Sequence, residues 1–148
     1  MRLRPASRAD ADALAQAHAS AFDAPWSAAD ILRFAEDPGG FALAVETGAG
    51  LAGFILCRVV AGEAEVLTLA VRPEHRRRGV ARDLVEAAAA LAARTAGAMF
   101  LEVAEDNAAA LALYAQTAFS RAGRRPGYYA RPGAPAVDAI VMRRTLNS

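Results

Sequence analysis

The sequence has 148 residues, enough for one domain spanning residues 1–148 and for burying roughly two-thirds of the unfolded surface without disulfide or metal staples. Apolar residues make up 55% and charged ones 22%, which excludes a disordered chain; the basic residues are all arginine, and a net charge of +1 leaves no bulk field drawing the chain to nucleic acid. The lone Cys57 excludes an internal disulfide and a multi-cysteine zinc site, and no apolar run approaches the ~20 residues of a membrane span. Asp10 and Asp12 interrupt what would be the apolar core of a signal peptide, so the expected location is a reducing cytoplasm without membrane attachment.

Arg2 to Ala6 reads as a short edge strand. Asp10 then caps an alanine-rich helix to about Phe22, with Leu14, His18 and Phe22 at helical spacing. Pro25, Trp26 and Ser27 form a break, and Ser27 is a good N-cap for a second helix that carries Ile31, Leu32 and Ala35 and stops near Pro38. Phe41 to Val45 and Leu51 to Val60 read as a hairpin turning at Gly48 and Gly50, and Glu65 to Val71 follows Gly62 as a third strand. A polar loop, Glu74 to Arg78, leads into a long helix from Val80 to about Arg94, with Val80, Leu84, Ala88 and Leu91 as its stripe. After Gly97 come a strand at Ala98 to Val103 and a short helix at Asn107 to Gln116. Then follow a strand at Phe119 to Ala122, a Gly/Pro/Arg loop, and a closing strand at Ala136 to Arg143. The order is β-α-α-β-β-β-α-β-α-β-β, and the strand–helix–strand unit around Val66 to Val103 should be parallel.

Gly48, Gly50 and Gly53 fit G-x-G-x-x-G, but a strand rather than a helix follows, so a hairpin turn explains them. His18 and His75 have no ligand at metal spacing, so no metal is expected. Cys57, mid-strand among apolar neighbours, reads as a buried inert thiol. The stretch Arg76-Arg77-Arg78-Gly79-Val80-Ala81 is different, because it follows a strand and opens a long helix. The first N–H groups of a helix lack internal partners, and the helix dipole adds positive potential there. Small residues at 79 and 81 admit an anion to the backbone, and arginines add donors. The stretch reads as a pyrophosphate cradle, a solvated basic turn or a nucleic-acid patch.

Asn107 and Tyr114 lie two turns apart on one face of a predicted helix, where an N-cap and a core tyrosine would look the same. Glu102, near the end of the apolar strand Met99-Phe100-Leu101-Glu102-Val103, is either a strand-end surface group or a working carboxylate.

Together these residues resemble the GNAT superfamily of acyl-CoA-dependent N-acyltransferases, whose cofactor motif Gln/Arg-x-x-Gly-x-Gly/Ala is matched by Arg76, Gly79 and Ala81. Within it the likeness is to the bacterial ribosomal-protein N-terminal-alanine acetyltransferases. It is carried by Pro25-Trp26-Ser27, Leu101-Glu102-Val103, Asn107-Ala108-Ala109-Ala110, Ala112-Leu113-Tyr114, Tyr128-Tyr129 and Asp138-Ala139-Ile140-Val141-Met142. One departure is Ala118, where the family usually has a glycine before the phenylalanine at 119. The resemblance covers nearly the whole chain and implies an α/β fold of the α+β kind, with a mixed central sheet flanked by helices.

The resemblance further implies direct transfer of acetyl from acetyl-CoA, as co-substrate, to an amine, with no covalent enzyme intermediate and no metal. Glu102 matches the family's general base, acting directly or through a water, and Tyr114 its general acid toward the departing thiolate. Leu69, Ala70 and Val71 would pair with pantetheine and hold the thioester carbonyl. Arg76, Arg77, Arg78, Gly79, Val80, Ala81 and Arg82 would hold the pyrophosphate, Asn107 the pantetheine arm, and Trp26, Tyr128 and Tyr129 would line an acceptor groove. Glu65 is a rival base, because many members carry the base on its strand. Simple alternation sets Glu65, Leu67 and Leu69 on one face of that strand and Val66, Thr68 and Ala70 on the other. The expected acceptor is the N-terminal α-amine of an alanine on a ribosomal protein, the alternative being a small-molecule amine or a lysine side chain. A monomer or weak homodimer with no direct nucleic-acid partner is expected.

Overall fold

Local signals set the helices. Ser27 Oγ accepts the N–H of Asp30 (3.1 Å) and starts a helix at Ala28; Asn107 Oδ1 does the same for Ala110 N–H (3.1 Å). The computed structural model describes residues 1–146. In chain order it holds β1 (Arg2–Pro5), α1 (Ala11–Ala21), α2 (Ala28–Glu36), β2 (Gly40–Thr47), β3 (Gly50–Val60) and β4 (Glu63–Val71). After these come α3 (Val80–Ala92), β5 (Ala98–Ala104), α4 (Ala108–Gln116), β6 (Ser120–Arg131) and β7 (Ala134–Thr145). The strands form one sheet in the order β1-β2-β3-β4-β5-β7-β6, antiparallel throughout except between β4 and β5.

The two faces of the sheet bury separate cores. On one, Val80, Leu84, Val85 and Ala88 of α3 pack with Ile55, Val66, Met99, Leu101 and Ile140, and Tyr114 of α4 joins them. Alanines on that side of α3 (Ala88, Ala89, Ala92) let the helix backbone lie close to the strands. On the other face Leu14 of α1 and Ile31 of α2 pack on Phe54, Leu56 and Ala70. Each large side chain so buried contributes about 1.5–3 kcal/mol against exposure.

Three expectations are corrected. The Gly/Pro/Arg segment after Ala122 is strand, not loop: β6 continues to Arg131. It lies at the sheet edge, where a proline's missing N–H costs no ladder bond. Residues between Arg125 and Tyr129 bulge out opposite Asp138, whose carboxylate takes Gly127 N–H at 2.8 Å. Phe22 is not on the buried stripe of α1, because the helix ends at Ala21 and Phe22 turns out extended, 42% exposed. Strict alternation along β4 also fails. Thr68 pairs with Leu56 while Val66 pairs with Cys57, so Leu67 is an extra residue. The bulge reverses the faces beyond it: Ala64 and Val66 join the α3-side core, while Leu67 and Ala70 turn to the α1/α2 side and Leu69 packs on the α3 side.

Candidate active site

The parallel pairing of β4 and β5 is short. Only Glu63, Ala64 and Glu65 face partners, at Ala98, Met99 and Phe100. From Val66 and Leu101 onward the strands part, while β5 stays bonded to β7 along Ala98 to Ala104. A slot therefore opens at the C-terminal ends of two central strands, with the Leu67 bulge on one wall. The β5-facing backbone of Leu69, Ala70 and Val71 has no strand partner among the described residues.

At the head of α3 the chain presents bare amides. Gly79, the N-cap, has φ +77°, a conformation cheap only for glycine, and Arg77 before it has φ +64°. The N–H groups of Arg77, Arg78, Gly79, Val80, Ala81 and Arg82 find no acceptor among the described residues; the first helical bond runs from Asp83 N–H to Gly79 O at 2.9 Å. A β-carbon placed on Gly79 would meet nothing within 4 Å, so the space before these amides is open. Consecutive free N–H groups at the positive end of a thirteen-residue helix fit a diphosphate. Arg77, Arg78 and Arg82 are exposed beside them, whereas Arg76 folds back to donate to Val71 O (3.3 Å).

Tyr129 of β6 is the electrostatic neighbour that Glu102 of β5 and Tyr114 of α4 share. Burial pushes the Tyr129 phenol up, with the Glu102 carboxylate adding to the shift, and burial pushes Tyr114 further up, with Tyr129 among the contributing neighbours. Glu102 Oε2 is enclosed and receives no hydrogen bond among the described residues, although Arg125 Nε lies 3.4 Å away. Glu65 is placed differently: it faces Arg58 across the β3–β4 pair in a 3.1 Å ion pair, with its side chain 44% exposed.

Tyr114 is anchored by the end of its helix. Phe119 N–H donates to Tyr114 O (3.0 Å), and the two rings meet edge to face at 5.6 Å, which is a Schellman termination with its usual apolar contact. That motif needs a left-handed residue before Phe119, and Ala118 supplies it at φ +69°.

Asn107 Oδ1 accepts the capping N–H of Ala110, and its amide N–H groups have no acceptor among the described residues, so they are free to meet a ligand. Trp26 is half-buried between α1 and α2, 5.5 Å from Phe34 and 5.6 Å from His18. Tyr128 is 52% exposed and lies edge-on to Tyr129, with the Arg125 guanidinium over its ring at 5.4 Å. Arg125 and Arg131 of β6 join the site without having been expected there. Arg131 pairs with Asp106 (2.8 Å) and lies over Tyr129, with Asp23 of the α1–α2 loop a weaker electrostatic neighbour. Their signal was hidden by the reading of that segment as loop.

Residues 11–119 match the acetyltransferase (GNAT) family. N-alpha-acetyltransferase RimI of Mycobacterium tuberculosis is 38% identical over 144 residues, 93% of this chain and 88% of that protein. A Mycobacterium leprae protein is 39% identical over 142 residues; the match takes in 92% of this chain but only 38% of that longer relative. The crystal structure of the ribosomal-protein-S18-alanine N-acetyltransferase from Escherichia coli superposes with a TM-score of 0.91 at 27% identity, over 99% of this chain and 94% of that one. On these likenesses, which take in the splayed strands and the helix that opens on bare amides, the chain belongs to the acetyltransferase (GNAT) family.

Proposed function

We propose that this chain transfers acetyl from acetyl-CoA to the N-terminal α-amine of a protein, with the alanine terminus of a ribosomal protein as acceptor. The observation that carries the reading is the slot itself. Bare amides at the head of α3 suit the diphosphate, and the β5-facing backbone of Leu69 to Val71, without a strand partner among the described residues, suits the amide-bearing pantetheine arm; Glu102 stands on β5 beyond the point where the strands part, and Tyr129 couples to both Glu102 and Tyr114. The likeness to the N-alpha-acetyltransferase of Mycobacterium tuberculosis and to the ribosomal-protein-S18-alanine N-acetyltransferase of Escherichia coli supports the choice of an α-amine, and the latter supports a ribosomal alanine.

Acetyl-CoA, when bound, supplies an acyl group already activated on sulfur. The amine must be neutral to attack. With a pKa near 8, roughly a tenth of an α-amine is neutral at pH 7, against about one in 2,500 for a lysine near 10.4. Glu102 takes the proton that nitrogen sheds, directly or through a water. Tyr114 keeps its own proton at neutral pH, since burial pushes its phenol above the ordinary value of 10.0, and gives it to the departing sulfur. One N–C bond forms, one C–S bond breaks, and one proton moves at each end. Trp26, Tyr128 and Tyr129 line the acceptor side.

The test is turnover on a panel of peptides that differ only at the first residue, alongside a small amine and an N-terminally blocked lysine peptide. The reading expects the highest kcat/KM with alanine first. Preference for the blocked lysine peptide or the small amine would replace it.

A further inference from the structure

His18 is 2% exposed and plays no part in the chemistry above. Its two ring nitrogens are both engaged. Nδ1 accepts the N–H of Trp26 at 3.1 Å, and Nε2 lies 3.1 Å from Thr68 Oγ1. A nitrogen that accepts an N–H bond carries no proton, so the ring is the neutral Nε2–H form, donating to Thr68. One imidazole on α1 thus ties together the α1–α2 loop and strand β4. The loop holds Phe22, stacked on the imidazole at 4.3 Å, and Trp26, at 5.6 Å. Thr68 is buried within the part of β4 that has left β5, one residue before Leu69.

We propose that neutral His18 is a positioning residue for the acceptor, latching the loop with Phe22 and Trp26 onto the strand that borders the cofactor slot. The proposal rests on the reading of that loop as a wall of the acceptor groove. Charging the ring would place a hydrogen on Nδ1 directly against the Trp26 N–H, donor facing donor. The surroundings do not favour the charge. Phe22 and Trp26 of the loop, Phe54 of β3 and Thr68 of β4 contact the ring, and none is ionised at working pH. From α2, Phe34 packs on Trp26 with the Arg33 guanidinium over the Phe34 ring, and the loop's Asp23 is an electrostatic neighbour of Arg131 on β6. Burial accordingly lowers the His18 pKa below its ordinary value of 6.5. The latch is therefore closed at neutral pH and opens as pH falls below that value.

Trp26 is the only tryptophan, so its fluorescence reports the latch without any turnover. In the wild-type protein, emission should change in one step with a midpoint below pH 6.5. The step should vanish in His18→Asn, whose amide oxygen can take the Trp26 N–H but cannot titrate. Imidazole ¹⁵N shifts at pH 7.5 should show the neutral Nε2–H tautomer. With an N-terminal peptide, His18→Leu should raise KM roughly 5- to 30-fold, the loss expected for a buried hydrogen bond, while kcat and acetyl-CoA affinity change less. A fluorescence step that persists in His18→Asn, an Nδ1–H or charged ring at pH 7.5, or an unchanged peptide KM in His18→Leu overturns the latch. If no peptide is turned over at any pH, the acceptor reading fails, and fluorescence and ¹⁵N shifts still decide the latch. Should His18→Leu not fold, the wild-type titration and His18→Asn suffice.

Discussion

Substituting Gly79 separates backbone strain from anion binding. The residue sits at φ +77°, and a β-carbon there meets nothing within 4 Å, so a side chain costs conformation but no clash. The left-handed conformation costs an L-residue roughly 1–2 kcal/mol, partly offset by about 0.4–1 kcal/mol from a stiffer unfolded chain. The net is about 1 kcal/mol. For a chain of this size that lowers Tm by about 3 °C, in Gly79→Ala and Gly79→Glu alike. Binding should divide the pair. In Gly79→Glu a carboxylate enters the space before the α3 amides, and at ~4 Å from a phosphate, with an effective dielectric constant of ~20, each like-charge pair costs about 4 kcal/mol. That corresponds to roughly 10³-fold in Kd, far beyond what the strain alone produces. Thermal melts and calorimetric titration with acetyl-CoA read both quantities. A Gly79→Glu protein that melts about 3 °C low and binds acetyl-CoA with wild-type affinity would show that the diphosphate lies elsewhere.

Tyr114→Phe keeps the ring and its edge contact with Phe119 but removes the proton; single-turnover kinetics should record a loss of roughly 10²-fold in the chemical step, with little change in acetyl-CoA affinity. Glu102→Gln should lower kcat/KM by a similar ~10²-fold. Glu65→Gln, which breaks only a half-exposed ion pair with Arg58, should stay within about twofold and shift stability by less than ~1 kcal/mol; the opposite ranking moves the base to Glu65. Ala118→Gly relieves a left-handed alanine at φ +69° and should raise stability by about 0.5–1 kcal/mol in denaturant melts, whereas a lower midpoint would mean the turn is not strained.

What was legible in the sequence was what is decided locally. Ser27 caps α2 because a serine oxygen three residues from a free N–H needs no distant partner, and the strand–arginine–glycine–helix order of residues 66–92 announces bare amides wherever the chain goes afterwards. The order of the seven strands and four helices follows from the same local signals. The misreadings came from position in the sheet. Pro126 and Gly127 break a central strand but not an edge strand with a bulge opposite Asp138. The Leu67 bulge leaves no mark in a run of alternating letters, yet it decides that Thr68 faces His18. His18 itself reads as an ordinary helix residue, because the threonine that gives it a role lies 50 positions away. Arg125 likewise acquires significance only through Glu102 on a different strand.

The measurement that bears most directly on the central claim is the position of the transferred acetyl group. A peptide with a free N-terminal alanine and one internal lysine, incubated with the protein and acetyl-CoA and sequenced by tandem mass spectrometry, offers both nitrogens at once. The account predicts acetyl on the α-nitrogen of the alanine and an unmodified lysine, with initial product formation lower by roughly 10²-fold in Tyr114→Phe. Acetyl on the lysine Nζ, or equal modification of both, would contradict it.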